Sequence, residues 1–281
     1  MSTLNFTKMQ GLGNDFVVID AVNQAVNLTA AQIRYIADRH FGVGCDQILL
    51  VEPAEQGSQA DFKYRIYNAD GSEVAQCGNG ARCFARFVRD KQLSLKNAIL
   101  VDTQSRQLLL SFTADDLITV NMGVPLHQPE DVPLLMAAAS TSYHLQVDGQ
   151  DCVFGAVSMG NPHAVLCVDN IASAPVLELG ARLESHPCFP ERANIGFMEI
   201  IGPESIKLRV FERGAGETLA CGSGACAAVV VGIEQHRLAN AVEVQLPGGN
   251  LHIQWQGRGK PVFMSGPAIS VFDGQLTLDA L

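Results

Sequence analysis

Two cysteines in this sequence stand at the same place in two similar stretches of chain. Cys77 precedes Gly-Asn-Gly-Ala, and Cys221 precedes Gly-Ser-Gly-Ala. Both stretches fit the pattern E-x-x-x-C-G-x-G-A, and their matched positions lie 144 residues apart without a gap. An apolar run typical of a helix follows each pair of glycines. The pattern indicates an internal duplication that supplies one thiol from each copy.

A cysteine at the start of a helix is placed for acid–base chemistry. The helix end offers unpaired N–H groups and a partial positive charge, which can hold a carboxylate and lower a thiol pKa from its reference near ~8.5. Glycine lets a ligand approach the backbone closely. With two such corners at one carbon, one thiolate could remove a proton and the opposite thiol could return one. This would invert a stereocentre without a cofactor.

Polar residues repeat around the two thiols as well. The matched pairs are Asn14 with Asn161, Gln47 with Asn194, and Asn68 with Glu212. The first two pairs are separated by 147 residues, and an insertion in the polar loop at 53–60 accounts for the difference from 144. Repeats that only form a core would match at apolar positions. We therefore expect one site assembled from residues of both halves.

Hydrophobic periodicity predicts an α+β fold in which both halves repeat one order of strands and helices. Helices are predicted from a capping box at residues 29–32 to about 40–42, from Cys77 to about Asp90, over Val176–Glu184, and from Cys221 to about Gln235. In the third helix Leu177, Leu179 and Leu183 are predicted to form the apolar face. A strand is predicted over Val165–Val168, and a polar turn before Cys221.

The duplication also predicts the domain boundaries. We expect one half at residues 1–121 and the other at 122–266. The last segment, 267–281, contains an extra strand or hairpin that is expected to return to the first half and complete it.

Composition restricts the class of protein. The chain of 281 residues is 47% hydrophobic, which is ample for a core, yet no run approaches the ~18 apolar residues of a membrane span. A net charge of −10 argues against a nucleic-acid partner. The first residues resemble neither a signal peptide nor a transit sequence, so we expect a cytoplasmic protein without disulfides. The remaining cysteines are interpreted as packing residues: Cys45, Cys83, Cys152, Cys167, Cys188 and Cys226.

Five motifs together closely resemble the diaminopimelate epimerase family. They are KMQGLGNDF at 8–16, NADGSEVAQCGNGAR at 68–82, MGNPH at 159–163, PERANIGF at 190–197 and ERGAGETLACGSGA at 212–225. The resemblance implies interconversion of LL- and meso-2,6-diaminopimelate in lysine and peptidoglycan-precursor synthesis, without pyridoxal phosphate or metal. It also implies two pseudo-symmetric halves, each a curled, mostly antiparallel sheet around a central helix, with the active site in the cleft between them.

The resemblance assigns roles to individual residues. Cys77 and Cys221 resemble the two acid/base residues, and His163 and Glu212 resemble the neighbours that tune their pKa. Residues similar to the family's substrate contacts are Asn14, Gln47, Asn68, Gly78, Asn79, Asn161, Asn194, Glu212, Arg213, Gly222 and Ser223. Arg213 would meet a carboxylate through two hydrogen bonds.

Two residues depart from the family pattern. Gln10 stands where many members have histidine, and Phe272 stands where some have a tyrosine implicated in dimerisation. The resemblance implies a homodimer, and the departure at residue 272 concerns only the dimer contact.

Several other interpretations remain open. Cys77 with Cys83 and Cys221 with Cys226 could hold zinc, although C-x5-C and C-x4-C are not the short spacings of structural zinc sites. The segment GSGACA fits a dinucleotide-binding motif, but a polar turn precedes it in place of a buried strand. Other functions are a related proline or hydroxyproline racemase, a phenazine-pathway type of isomerase, or an amino-acid binding protein without catalysis.

Overall fold

The computed structural model describes residues 3–75 and 77–278. The described chain forms two compact units. The first runs from the start of the described chain to Val120 and resumes at Gly266, and the second is Asn121–Ser265. The ends of the expected first half, residues 1–2 and 279–281, lie outside the described residues.

The first unit surrounds a helix with strands. Its elements, in chain order, are β1 Thr3–Gly11, β2 Asn14–Asp20, α1 Ala30–Ala37, β3 Gln47–Pro53, β4 Phe62–Asn68, β5 Glu73–Val74, α2 Gly78–Asp90, β6 Ala98–Asp102, β7 Gln107–Phe112 and β8 Ile118–Gly123. The pairs β1–β2, β3–β4, β4–β5, β6–β7 and β7–β8 are antiparallel, and the pairs β2–β3 and β4–β6 are parallel. Helix α2 buries Phe84, Phe87 and Val88 against this sheet.

The second unit repeats the same order. Its elements are β9 Tyr143–Val147, β10 Gln150–Ser158, β11 Pro162–Cys167, α3 Val176–Glu184, β12 Asn194–Gly202, β13 Ser205–Glu212, β14 Gly216–Thr218, α4 Gly222–Glu234, β15 Ala241–Leu246, β16 Gly249–Trp255 and β17 Val262–Gly266. Here β11–β12 and β13–β15 are the parallel pairs, at the places where the first unit has its own. Helix α4 is apolar on every side, which is typical of a helix enclosed by other elements.

The last strand, β18 Ile269–Thr277, pairs antiparallel with β1, as β9 pairs with β10. The C-terminal segment thus pairs with the first strand of the first unit. Among the described residues, no helix has the length and apolar character that crossing a bilayer needs.

Four local predictions were wrong. Helix α1 ends at Ala37, because the Asp38 carboxylate accepts hydrogen bonds from the backbone N–H groups of His40 and Phe41 and turns the chain. In α3, Val176 is buried, whereas Leu177 is 63% exposed. Strand β11 begins at Pro162, three residues earlier than expected. Cys167 is exposed and not a packing residue.

Candidate active site

Cys77 lies at the junction between β5 and α2. It is the N-cap residue of α2 with extended backbone, and its carbonyl accepts hydrogen bonds from Ala81 N–H at 2.8 Å and from the Tyr64 hydroxyl at 3.3 Å. A Cβ atom on Gly80 would lie only 2.7 Å from that hydroxyl. The second glycine of the motif is thus required by the close approach of Tyr64, which holds the corner in place.

The Cys77 thiol adjoins a chain of side-chain amides. Its Sγ lies 3.8 Å from Asn14 Oδ1, which also accepts from Asn79 Nδ2 at 3.3 Å. Asn79 Oδ1 in turn accepts from Arg82 Nη2 at 3.0 Å. Arg82 is fully buried and also donates from Nε to the carbonyl of Pro267 at 3.1 Å. A buried cation therefore orients the Asn79 amide, two residues after Cys77.

Gln47 and Asn68 lie opposite each other on β3 and β4, with a hydrogen bond of 2.9 Å from Gln47 Nε2 to Asn68 Oδ1. Asn14 begins the neighbouring strand β2 and donates from Nδ2 to Asp46 at 2.9 Å. The predicted contacts of the first unit therefore come from neighbouring strand ends, next to the start of α2 at Gly78.

Cys221 occupies the corresponding N-cap of α4, but its surroundings differ. Its Sγ is 2.9 Å from Glu212 Oε2 and 3.7 Å from the Ser223 hydroxyl. The other oxygen of Glu212 accepts from the Thr218 hydroxyl at 2.5 Å. The carboxylate is thus fixed between a threonine and the thiol.

The expected lowering of the thiol pKa is wrong for Cys221. Burial, followed by the adjacent Glu212 carboxylate, raises the pKa of the Cys221 thiol well above its usual range. Hydrogen bonds from the Gly224 N–H and the Ser223 hydroxyl act in the opposite sense, but they are the smaller effects. At neutral pH this group is a protonated thiol.

His163 reaches Cys221 only through other side chains. The imidazole is buried, and burial lowers the pKa of His163 from 6.5 to about 3, with the charge of Arg213 acting in the same direction. Its Nε2 lies 3.0 Å from Asn161 Oδ1, and Asn161 Nδ2 donates to the Ser223 hydroxyl at 3.4 Å. A neutral His163 thus orients Asn161 and Ser223 beside the thiol.

Asn194 and Arg213 are joined through the backbone. Asn194 Oδ1 accepts from the Arg213 N–H at 3.0 Å, and its Nδ2 donates to the carbonyl of Pro162 at 2.9 Å. The Arg213 side chain is exposed, with Nη1 donating to the carbonyl of Glu191 at 3.1 Å. In this structure Asn194 positions the segment that carries the arginine.

Two ion pairs that sequence reasoning missed explain the glutamate of the repeated motif. Arg65 binds both oxygens of Glu73, at 2.8 and 2.9 Å. Arg209 binds both oxygens of Glu217, at 2.6 and 2.9 Å. Each ion pair links the short strand before one of the two cysteines to the neighbouring strand. The stretch predicted to be a polar turn is therefore strand β5 or β14. The two arginines share the 144-residue separation of the cysteines, a signal that was available in the sequence.

The other motif cysteines are enclosed by the core. Cys83 and Cys226 are fully buried within α2 and α4. Burial raises the pKa of the Cys83 thiol to about 12. Within residues 3–75 and 77–278, no three His, Cys, Asp or Glu side chains converge as a metal site would require.

Several solved structures share this fold at low sequence identity. A hydroxyproline epimerase from Agrobacterium vitis matches with a TM-score of 0.70 and 13% identity, over 99% of this chain and 93% of that one. A PhzF-family phenazine biosynthesis protein from Bacillus anthracis matches with a TM-score of 0.68 and 17% identity, over 99% and 100%. At these identities the likeness concerns the fold alone. It confirms the α+β class with two similar halves.

Sequence similarity narrows the class to a family. The model of the family described as diaminopimelate epimerase matches residues 6–127 and 155–271. A diaminopimelate epimerase of Teredinibacter turnerae is 57% identical over 275 residues, which cover 98% of this chain and 99% of that protein. The chain belongs to the diaminopimelate epimerase family and is an isomerase. The resemblance found in the five motifs is confirmed.

Proposed function

We propose that this protein interconverts LL- and meso-2,6-diaminopimelate, with Cys77 and Cys221 as the base and acid at the α-carbon. The observation that supports this most is the placement of one thiol at the N-cap of each of two equivalent helices. Both helices lie in a chain that belongs to the family of this activity. The pathway is lysine and peptidoglycan-precursor synthesis, as the family resemblance implies.

The proton balance follows from the unequal surroundings of the thiols. Cys221, buried beside a carboxylate, starts as the thiol and donates its proton. Cys77, at the N-cap of α2, is assigned the thiolate that removes the α-proton, because a helix N-terminus favours a negative charge. The electron pair of the broken C–H bond moves into the substrate carboxyl group and returns to form the new C–H bond. Turnover leaves Cys77 protonated and Cys221 ionised, and the next event in the reverse direction uses that arrangement.

Charge that develops on the substrate carboxylate needs fixed donors. The N–H groups at the starts of α2 and α4, at Gly78-Asn79 and Gly222-Ser223, are suited to this role because helix N-termini bind anions. A single well-placed donor to a developing oxyanion contributes ~3 kcal/mol to transition-state stabilisation. A cofactor is not needed for this step, because the step consists only of proton transfer.

Diaminopimelate carries two amino-acid ends, and the predicted contacts provide for both. Arg213, exposed and with its Nη1 held by Glu191, is suited to a carboxylate. Amides of Asn14, Gln47, Asn68, Asn161 and Asn194, with the Glu212 carboxylate, would bind ammonium and carboxylate groups. A substrate with a single amino-acid end, such as proline, would leave part of this set unused.

A deuterium-exchange panel tests the function. The protein is incubated in deuterated water with LL-diaminopimelate, meso-diaminopimelate, lysine, proline and hydroxyproline, and the α-hydrogens are followed by NMR. We expect exchange and inversion for the two diaminopimelate isomers only. Exchange confined to proline or hydroxyproline would assign the protein to the racemases instead, and binding without any exchange would indicate an amino-acid binding protein.

The location and assembly are also part of this proposal. The cytoplasmic location expected from the sequence stays a prediction. Strand β18 exposes Ile269, Val271 and Phe272, each at least half exposed, and these apolar residues support a homodimer. Light scattering during gel filtration should give twice the chain mass. A mass equal to that of one chain would contradict the dimer.

A further inference from the structure

The turn between β13 and β14 carries two of the proposed functional side chains. Glu212, at its start, contacts the Cys221 thiol, and Arg213 follows directly. The turn closes with a hydrogen bond of 3.1 Å from Ala215 N–H to the Glu212 carbonyl, and Gly214 has a φ of +74°. The orientation of the Arg213 side chain thus depends on how this short glycine-containing turn is held.

A carboxylate from another element holds the turn. Glu184 is the last residue of α3, and its side chain is only 8% exposed. Its Oε1 accepts from the Gly214 N–H at 3.0 Å and lies 3.4 Å from Arg192 Nη1. A buried carboxylate is costly unless it is hydrogen-bonded or paired, and these two donors satisfy it. Because Glu184 contacts the Gly214 N–H, its effect on Arg213 would pass through the backbone of the turn.

The same connection between α3 and β12 makes two further contacts with the turn. Asn194, at its far end, accepts from the Arg213 N–H, and the Glu191 carbonyl accepts from Arg213 Nη1. Consecutive backbone N–H groups, of Arg213 and Gly214, are therefore held by side chains at the two ends of one connection. The turn itself, residues 213–215, is exposed, and the Arg213 side chain extends from it.

In the described part of the first unit, α1 contacts the corresponding turn differently, because Arg34 Nη1 donates to the Asp70 carbonyl at 3.3 Å. Under the internal repeat, Glu184 corresponds to Ala37, Arg213 to Ala69 and Gly214 to Asp70. An alanine at position 37 cannot accept a hydrogen bond from the corresponding turn. The contact is therefore not a requirement of the repeated fold, and it occurs where the chain presents an arginine.

We propose that Glu184 is a positioning residue for substrate binding. It holds the Gly214 N–H, so that the Arg213 guanidinium binds a substrate carboxylate in one orientation. This role rests on the proposed function of Arg213. Because the carboxylate that Arg213 binds is present in both ground and transition states, loss of Glu184 should raise KM more than it lowers kcat.

Two variants with side chains of similar size distinguish the effect of the Glu184–Gly214 hydrogen bond from the effect of side-chain packing. Glu184→Met keeps the length of the side chain without an acceptor, and Glu184→Gln keeps an oxygen that can accept from Gly214. For LL-diaminopimelate we expect the methionine variant to raise KM about tenfold, and the glutamine variant to stay within about threefold of the wild type. Glu178→Ala, an exposed glutamate on the same helix, is the control and should leave KM unchanged.

A double-mutant cycle distinguishes positioning from a general loss of structure. In an Arg213→Ala background, Glu184→Met should raise KM by less than about twofold, because the side chain that it positions is absent. If Glu184→Met does not fold, Glu184→Ala replaces it in the same cycle. A wild type without diaminopimelate turnover would overturn the proposed function and this role together. Normal wild-type turnover with an unchanged KM in Glu184→Met, or a full KM effect without Arg213, would overturn the role of Glu184 alone.

Discussion

Glu212 Oε2 lies 2.9 Å from the Sγ of Cys221, whereas the matched position in the first unit is occupied by the neutral Asn68. The two halves therefore share a backbone plan but surround their thiols with different charges. A carboxylate disfavours ionisation of Cys221, and the buried Arg82 lies near Cys77 through Asn79. Under the proposed mechanism, this difference would make one thiol the acid and the other the base.

Replacing Glu212 with glutamine should make the Cys221 thiol ionise more readily. The negative charge that opposes the thiolate is removed, so the pKa of Cys221 should fall relative to its raised value. Alkylation of Cys221 by iodoacetamide, followed against pH in a Cys77→Ser background, measures this directly. The midpoint should move to lower pH. A midpoint that stays in place or rises would show that the carboxylate does not control the thiol.

Buried His163 predicts a loss of stability in acid. The pKa of His163 is lowered from 6.5 to about 3 in the folded protein. Between these two pH values, His163 is therefore protonated in the unfolded chain but stays neutral in the folded chain. The free energy of unfolding should therefore fall by about 1.4 kcal/mol per pH unit from this group between pH 6.5 and 3. Urea unfolding at several pH values measures the slope.

The slope should be smaller in His163→Gln, which cannot titrate. His144→Gln is the matched control, because His144 is exposed on β9 and should leave the wild-type slope unchanged. Equal slopes in the wild type and in His163→Gln would indicate that His163 is already charged, or accessible, in the folded protein.

Arg213→Lys should impair the enzyme even though the charge is kept. Lysine is a point charge and cannot make two parallel hydrogen bonds to a planar carboxylate. Losing one charge-assisted hydrogen bond should reduce kcat/KM roughly tenfold or more, equivalent to ~1.5–3 kcal/mol. Arg182→Lys, at a surface ion pair with Asp148, is the control and should behave as the wild type. Wild-type kinetics in Arg213→Lys would remove Arg213 from the site.

Local signals in the sequence predicted much of the fold. The capping box at Thr29 and Gln32 is present, and α3 has the predicted bounds Val176–Glu184. These features depend on neighbouring residues, which a sequence displays. Strands β5 and β14 depend on pairing with β4 and β13 and on the ion pairs of Glu73 and Glu217, which are contacts between separate elements.

The candidate site shows the same limit. The internal repeat predicted Cys77, Cys221 and their polar neighbours as site residues, because matched residues of the two copies lie at a constant separation in the sequence. The predicted direction of the Cys221 pKa shift was wrong, because burial and the Glu212 carboxylate outweigh the effect of the helix N-terminus. Which side chains enclose a thiol is decided by tertiary packing, and no local pattern near position 221 records it.

The central claim, that each thiol serves one face of the α-carbon, is tested most directly by hydrogen exchange in the single-cysteine variants. Cys77→Ala and Cys221→Ala are each incubated in deuterated water with LL- and with meso-diaminopimelate, and inversion and α-deuterium are followed together. Neither variant should invert its substrate. Any residual exchange should favour one isomer in Cys77→Ala and the other isomer in Cys221→Ala. Inversion near the wild-type rate in either variant, or exchange of the same isomer by both, would contradict the two-thiol mechanism.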